Sequence, residues 1–284
     1  MSHHPANAVV SSRAQIGRDV QIGPFCVIEA DVVVGDGCQL ASHAVIKSGM
    51  RLGAHNKIGE NAVLGGLPQH AHPRELPGLL VIGNNNTIRE FCTLHRSLYH
   101  DQATRIADDN LIMAGAHVGH DSSVGSRVIL TNNVLLGGHV VVEERANLSG
   151  GAAVHQFCRI GRLAMVGGHA RIKKDVPPYV MIDDATSMVV GLNVIGLRRN
   201  GFTPEQVQQL KDAYRLIYRR GLPWAEVVPA LMREFPDGPA AELHRFLSGG
   251  TRGFVQERRA PPKATVRLHR DEEDPATRLG RKAG

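Results

Sequence analysis

An aliphatic side chain returns at every sixth position through most of this chain, and few folds satisfy so strict a period. One series runs Val10, Ile16, Ile22, Ile28, Val34, Leu40, Ile46, Leu52, Ile58, Leu64. A second runs Ile106, Ile112, Val118, Val124, Leu130, Leu136, Val142, Leu148, Val154, Ile160, Val166, Ile172, and Ile82, Ile88 and Leu94 keep the same phase between the two. An amphipathic helix repeats every 3.6 residues and a lone strand every two, so neither generates a six. A hexad with one inward aliphatic residue marks a parallel β-helix, each hexad forming one side of a coil. Three hexads close a triangular turn, so residues eighteen apart are expected to stack one strand spacing apart, roughly 4.8 Å. Aromatic residues make up only 4% of the chain, which suits a narrow prism filled by small branched side chains. Backbone pairing between coils leaves open ends and flat faces, so trimer formation is expected.

Two stretches interrupt the pattern. Leu64 and Ile82 are one coil's worth of residues apart, yet residues 67–79 (LPQHAHPRELPGL) read as a projecting loop. Residues 95–105 are polar and separate the two perfect series. Loops leaving a rigid scaffold tend to carry binding residues. After Ile172 the pair Pro177-Pro178 cannot continue a regular ladder. Thr203-Pro204-Glu205-Gln206 then supplies an N-cap, a first-turn proline and a capping-box Gln. Val207, Leu210, Tyr214, Ile217 and Tyr218 follow as one apolar stripe. Further helices are expected over Trp224–Phe235 and Pro239–Leu247. The predicted organisation is mainly β: a parallel β-helix over 1–192, a helical unit over 193–254, and a disordered basic tail over 255–284.

Composition narrows the function. The formal charge is +6, with about half of the excess in the tail. No motif or aromatic platform supports nucleic-acid binding, so none is expected. Cys26, Cys38, Cys92 and Cys158 show neither metal-ligand nor disulfide spacing, and read as buried thiols in a reducing compartment. The opening MSHHPANAVV lacks a signal-type apolar run and no stretch is long enough to span a bilayer. A cytoplasmic protein without stable membrane insertion is expected.

Histidine concentrates where the repeat is most regular: His117 and His120 before Asp121, then His139 after Gly138, then His155 before Gln156. Counting eighteen from His120 reaches Gly138, Gln156 and Lys174, with His139 and His155 one residue away. These residues are therefore expected along one edge of the prism, where a plain corner would favour Gly, Asn or Asp. His120, oriented by Asp121, suits a general base near neutral pH. Gly138 lets its backbone N–H approach a developing oxyanion. His117, His139 and His155 suit ligand positioning.

The chain resembles the acyl-[acyl-carrier-protein]–UDP-N-acetylglucosamine O-acyltransferases that begin lipid A synthesis. The matching stretches are Ile22–Ile28, Asn86–Arg96, Ala116–Gly125, Asn132–Glu144, Ala153–Gly161 (AVHQFCRIG), Asp175–Val180 (DVPPYV), Gly191–Phe202 (GLNVIGLRRNGF) and Ala213–Arg219. They span about residues 8 to 254. The resemblance implies a left-handed β-helix, a homotrimer with its site between subunits, and no cofactor or metal. It implies His120 as the base taking the sugar 3-hydroxyl proton, and Gly138 as the oxyanion donor. His117, His139 and Gln156 match residues that hold the sugar and acyl groups. Asn193 and Arg199 match nucleotide- and carrier-side contacts, with Arg198 a further candidate, and Gly168 matches the position gauging acyl length.

One departure concerns the first loop, where the family carries Pro-Gln-Asp-Leu-Lys. Here Gln69 is retained, but His70 replaces the Asp and His72 the Lys. An imidazole that can donate replaces a carboxylate that accepts, which opens the acceptor to another UDP-amino sugar. A catalytically idle trimeric scaffold is a further alternative. A zinc hydratase is another, since similar β-helical carbonic anhydrases bind zinc through histidines. Their paired ligands lie four residues apart, however, and His117-x-x-His120 does not match.

Overall fold

The computed structural model describes residues 5–72 and 74–258. Each hexad becomes a short strand, usually of two residues, and three strands with their corners complete a coil. The coils form a left-handed parallel β-helix. Among the described residues its three faces are sheets of nine, eight and ten strands. The first face begins at Val9–Val10, the second at Gln15–Ile16 and the third at Gln21–Ile22. Register is regular: His117 pairs with Leu135, Leu135 with Ala153, and Ala153 with Arg171 on the first face. The hexad aliphatics point inward, and Ile28, Ile46, Leu64, Leu94, Val118, Leu136 and Val154 form one buried column. Between faces the chain turns through a residue of positive φ. Asp121 (61°), Arg127 (57°) and Asn133 (58°) show this at three successive corners.

The stacking of Ile82 differs from the expectation of one coil after Leu64. Ile82 pairs with Leu52, and Leu64 pairs with Leu94, so the coil through the first loop takes 30 residues. The coil through the second loop takes 24, bringing Thr93 beside His117. Both insertions are whole multiples of a hexad. The aliphatic phase therefore survives them although the eighteen-residue register does not. The loops are also shorter than expected, because Leu79–Ile82 and Ala103–Ile106 are already strands.

At the C-terminal end, Val180–Ile182 adds in parallel to Met165–Val166. The chain then reverses, and Val189–Leu192 closes the third sheet as an antiparallel hairpin. Such a closure covers a sheet edge that would otherwise remain open. Among the described residues four helices follow: α1 (Val194–Arg199), α2 (Pro204–Arg219), α3 (Trp224–Glu234) and α4 (Ala240–Ser248). The reciprocal capping box of Thr203 and Gln206 starts α2 as its sequence predicts. The short α1 was not foreseen from periodicity. Leu163, Tyr179, Leu197, Leu210, Leu231 and Phe246 belong to a second apolar core between the helices and the last coils. Arg159 pins the two parts together, donating to the buried Asp175 carboxylate at 2.8 Å and to the Phe246 carbonyl at 2.7 Å.

Residues 255–258, placed in the tail by composition, pack against the body. Val255 is buried, and Glu257 accepts hydrogen bonds from Tyr214 Oη (2.7 Å) and Arg219 (2.8 Å). The rest of the expected disordered tail lies outside the described residues. Among the described residues no helix is long and apolar enough to cross a membrane.

Candidate active site

Residues 119–122 form the corner between the first and second faces. In-register pairing of His117, Leu135 and Ala153 carries forward to His120, Gly138 and Gln156 on successive coils. Two corner hydrogen bonds preserve that alignment: His139 N–H to the His120 carbonyl (2.9 Å) and Phe157 N–H to the Gly138 carbonyl (3.1 Å). The His120 imidazole lies directly against Gly138. A Cβ on Gly138 would stand 2.8 Å from the ring's Cε1 and Nε2. Glycine is therefore required by close approach here. The Gly138 N–H has no acceptor among the described residues.

His120 and Asp121 are sequence neighbours, but the left-handed backbone of Asp121 turns its carboxylate back onto the imidazole. His120 Nδ1 is 2.7 Å from Asp121 Oδ2, and both side chains are nearly buried, 9% and 4% exposed. With Nδ1–H donating to the carboxylate, Nε2 of the neutral ring is the lone-pair nitrogen. Asp121 is itself held from the second loop. Ser97 Oγ–H donates to Oδ1, and Leu98 N–H donates to Oδ2 at 3.2 Å. The Asp121 N–H donates to Thr104 Oγ1 at 2.7 Å. Burial pushes the carboxyl upward, but hydrogen bonds from Ser97, His120 and Leu98 outweigh it and hold it below its ordinary value.

Further imidazoles surround this pair. The His139 ring stands perpendicular to His120 at 5.3 Å between centroids and stacks on Phe157 at 4.6 Å. Burial, and the adjoining His120 and His70, lower the His139 pKa against the pull of Asp121. On the first face, His117 Nδ1 meets Thr93 Oγ1 at 2.9 Å, with the His95 ring 5.0 Å away. Burial first, then the neighbouring His95 and His120, lower the His117 pKa to about 4, so it is neutral at physiological pH. His95 Nδ1–H donates to the Leu67 carbonyl at 2.6 Å and ties down the start of the first loop. That loop lays His70 edge-on against His120, 5.7 Å between centroids, with His72 a further 6.2 Å from His70. His70 Nδ1 lies 3.1 Å from both the N–H and the carbonyl oxygen of His72, which holds the ring against its own loop.

Beside these groups, an open groove of about 660 Å³ runs along the first face. Gln69, His117, Leu135, His155, Arg171 and Lys173 line it. His155 is exposed, with Nδ1 3.0 Å from Arg252, and Gln156 is exposed on the same edge. The remaining candidates lie elsewhere in the protomer. Gly168 is at the corner between the third and first faces, where a Cβ would stand 3.3 Å from the Gly150 carbonyl. Asn193 caps α1, accepting from Gly196 N–H (2.9 Å) and donating to the Leu163 carbonyl (3.0 Å). Arg198 and Arg199 are exposed in the last turn of α1. One protomer thus spreads these candidates over its three corners.

Sequence reasoning missed Ser97, Leu98, Thr104, Thr93, His95 and Phe157. The polar stretch 95–105 was the available signal, but its contacts follow from the 24-residue coil. The set His120, Asp121 and His139 has ligand atoms within 4.8 Å of one another.

A hexapeptide β-helix with an oriented His–Asp pair beside an open groove has the makings of a repeat-type transferase. Residues 13–48 match the family model described as bacterial transferase hexapeptide (six repeats). Residues 175–255 match the model described as UDP N-acetylglucosamine O-acyltransferase, domain 2. The acyl-[acyl-carrier-protein]–UDP-N-acetylglucosamine O-acyltransferase of Paraburkholderia phymatum is 45% identical over 260 residues, covering 89% of this chain and 98% of its own. The enzyme of that name from Janthinobacterium is 43% identical, covering 89% and 98%. Among solved structures, the UDP-N-acetylglucosamine acyltransferase of Bacteroides fragilis superposes with a TM-score of 0.87 at 34% identity, covering 89% of this chain and all of that one. The Acinetobacter baumannii structure gives 0.85 at 38% identity, covering 89% and 99%. This chain belongs to the family of acyl-[acyl-carrier-protein]–UDP-N-acetylglucosamine O-acyltransferases.

Proposed function

We propose that this chain transfers a 3-hydroxyacyl group from acyl-carrier protein to the 3-position of UDP-N-acetylglucosamine, the opening step of lipid A synthesis. The observation that carries this reading is the buried His120–Asp121 pair lying over Gly138. His120 Nε2 takes the proton of the sugar hydroxyl as its oxygen attacks the thioester carbonyl. The Asp121 carboxylate stabilises the imidazolium that forms. The Gly138 N–H donates to the oxyanion of the tetrahedral intermediate. Collapse breaks the carbon–sulfur bond, and the imidazolium returns its proton to the departing thiolate. The thioester carries the activation, so no cofactor enters the scheme. Gln69, His117, His139, His155 and Gln156 position the two substrates along the groove.

The scheme includes a homotrimer. Gly168 and the trio Asn193, Arg198 and Arg199 sit at other corners of the prism, and a neighbouring protomer would bring them to the His120 edge of the first. The protein would work in the cytoplasm, where both substrates are made. His70 supports a second reading, acylation of a different UDP-amino sugar. Its imidazole packs edge-on against His120 where the family carries an acid, and a ring N–H, which a carboxylate lacks, suits a sugar group that accepts.

Mass spectrometry of products from several acyl-carrier thioesters and several UDP-sugars tests both readings. An ester of UDP-N-acetylglucosamine made by the wild type, and lost in His120→Ala, is the expected result. Equal product from the His120→Ala variant would remove the imidazole from the mechanism, and no transfer to any sugar would favour an idle scaffold. The pair His70→Asp and His72→Lys is expected to raise the preference for UDP-N-acetylglucosamine. Unchanged preference across the panel would deny this loop a role in acceptor choice.

A further inference from the structure

We propose that the His120 corner also binds a divalent transition-metal ion, Zn²⁺ being the best fit, and that the ion inhibits the enzyme. The ligands would be His120 and Asp121 from one coil and His139 from the next. Their donor atoms already lie within 4.8 Å of one another. His139 Nε2 is 3.7 Å from Asp121 Oδ2, and His120 Nδ1 is 2.7 Å from the same oxygen. Tetrahedral zinc with bonds of about 2.0–2.1 Å holds its ligand atoms roughly 3.3 Å apart, between those two separations. Small side-chain rotations would therefore close the shell, leaving the fourth position to water.

The surroundings are those of a supported metal site. The Asp121 carboxylate is anchored by Ser97 on Oδ1 and by Leu98 N–H on Oδ2, the oxygen that also faces both imidazoles. Phe157 stacks on His139 and fixes its plane, while His70 closes the far side of His120. Hydrogen bonds to a ligating carboxylate, as from Ser97 and Leu98, orient it and typically raise affinity about 10–100-fold. Two imidazoles and one carboxylate favour Zn²⁺ over Mg²⁺ or Ca²⁺, which prefer all-oxygen shells. The ion would take the Nδ1 position now used to hold His120 against Asp121. With Nδ1 on the metal the neutral ring carries its proton on Nε2, so it loses both its orienting hydrogen bond and the lone pair that would take the hydroxyl proton. Metal binding follows from the side-chain geometry alone; inhibition rests on the transferase reading.

Titration of the purified protein with Co²⁺, followed by visible absorption, separates these two halves. One Co²⁺ per chain with a tetrahedral spectrum, displaced by Zn²⁺, is expected. His139→Phe keeps the stack on Phe157 and should weaken binding at least tenfold, with His139→Asn as a second variant if the first melts early. His155→Ala, outside the ligand set, should bind as the wild type does. A spectrum that never saturates, or one that persists in His120→Phe/His139→Phe, would overturn the site. In the transferase assay Zn²⁺ should abolish turnover and a chelator restore it. Full turnover by zinc-loaded protein would overturn the inhibitory role. Because the cobalt spectrum needs no substrate, failure of the transferase reading leaves the metal result legible.

Discussion

At the corner between the first and second faces, Asp121, His139 and Phe157 hold φ values of 61°, 58° and 67°. At the next corner Arg127, Arg145 and Leu163 hold 57°, 59° and 54°, and at the third Asn133 and His169 hold 58° and 57°. The backbone is the same at all three, so the repeat itself does not choose where chemistry occurs. Coverage differs. The helical unit closes the second corner: Leu163 is buried beneath it, Arg145 reaches Asn200 at 2.6 Å, and Arg162 reaches Glu242 at 2.9 Å. The first corner is covered by the two inserted loops, which hold Asp121 through Ser97 and lay His70 on His120. A uniform scaffold thus becomes a site where insertions bury a His–Asp pair beside an open groove.

The largest expected effect breaks this comparison at its centre. His120→Ala should lower kcat by at least about 10²–10⁴-fold, the usual worth of a general base. The ring lies outside the aliphatic column, so circular dichroism and oligomeric state should match the wild type; a collapsed fold would instead make His120 structural. A pair of glycine substitutions sharpens the contrast between corners. Gly138→Ala drives a methyl group to 2.8 Å from the His120 ring, and should cost roughly a hundredfold in kcat by displacing the base. Gly150→Ala, at the third corner, meets nothing closer than 3.5 Å and should leave turnover within about twofold. Equal losses at both positions would mean that corner backbone, rather than imidazole placement, is what glycine protects.

Two smaller effects concern stability. His117 has its pKa lowered to about 4 in the fold, against about 6.5 for a free imidazole. The unfolded chain therefore takes up the proton first, and stability should fall as pH drops from about 6.5 towards 4. His117→Gln should make that part of a denaturant-midpoint profile shallower, with the slope that remains coming from His95 and His139, whose pKa values burial also lowers. The Asp121 carboxyl, depressed in the fold, adds stability above its ordinary value near 3.8 that is lost at still lower pH. The two windows lie in sequence, so acid titration of the variant separates them. Smallest of all, Tyr214→Phe removes the hydrogen bond to Glu257 and should cost about 0.5–1.5 kcal/mol in urea unfolding. No change would show that the other contacts of residues 255–258, among them buried Val255 and the Arg219–Glu257 and Arg258–Asp183 pairs, hold the segment without it.

Much of this was legible because hexad phase is a local property. Each inward aliphatic announces its own coil side, and Thr203 with Gln206 announces a helix start from four residues. The alignment of His120, Gly138 and Gln156 followed from counting, since no insertion falls between them. The same counting failed at Ile82, which stacks on Leu52, because a loop of two hexads leaves the phase intact while changing the register. For that reason Ser97 and Thr104 could not be matched to Asp121 from the sequence. Their distance along the chain depends on how much of 95–105 is loop and how much is strand. Asn193, which the resemblance implies as a nucleotide- or carrier-side contact, also caps α1 and bonds the Leu163 carbonyl, a pairing across 30 residues that no local pattern announces.

The sequence by itself determined the prism, its three faces, the histidine-bearing edge and the helical unit that follows, because these depend on short repeating patterns of burial. Only the tertiary structure decided which loop residue holds which site residue, how close His120 lies to Gly138, and that His70 meets the base. Those contacts join segments whose separation is set by insertions, and an insertion's path through space is fixed by packing rather than by period.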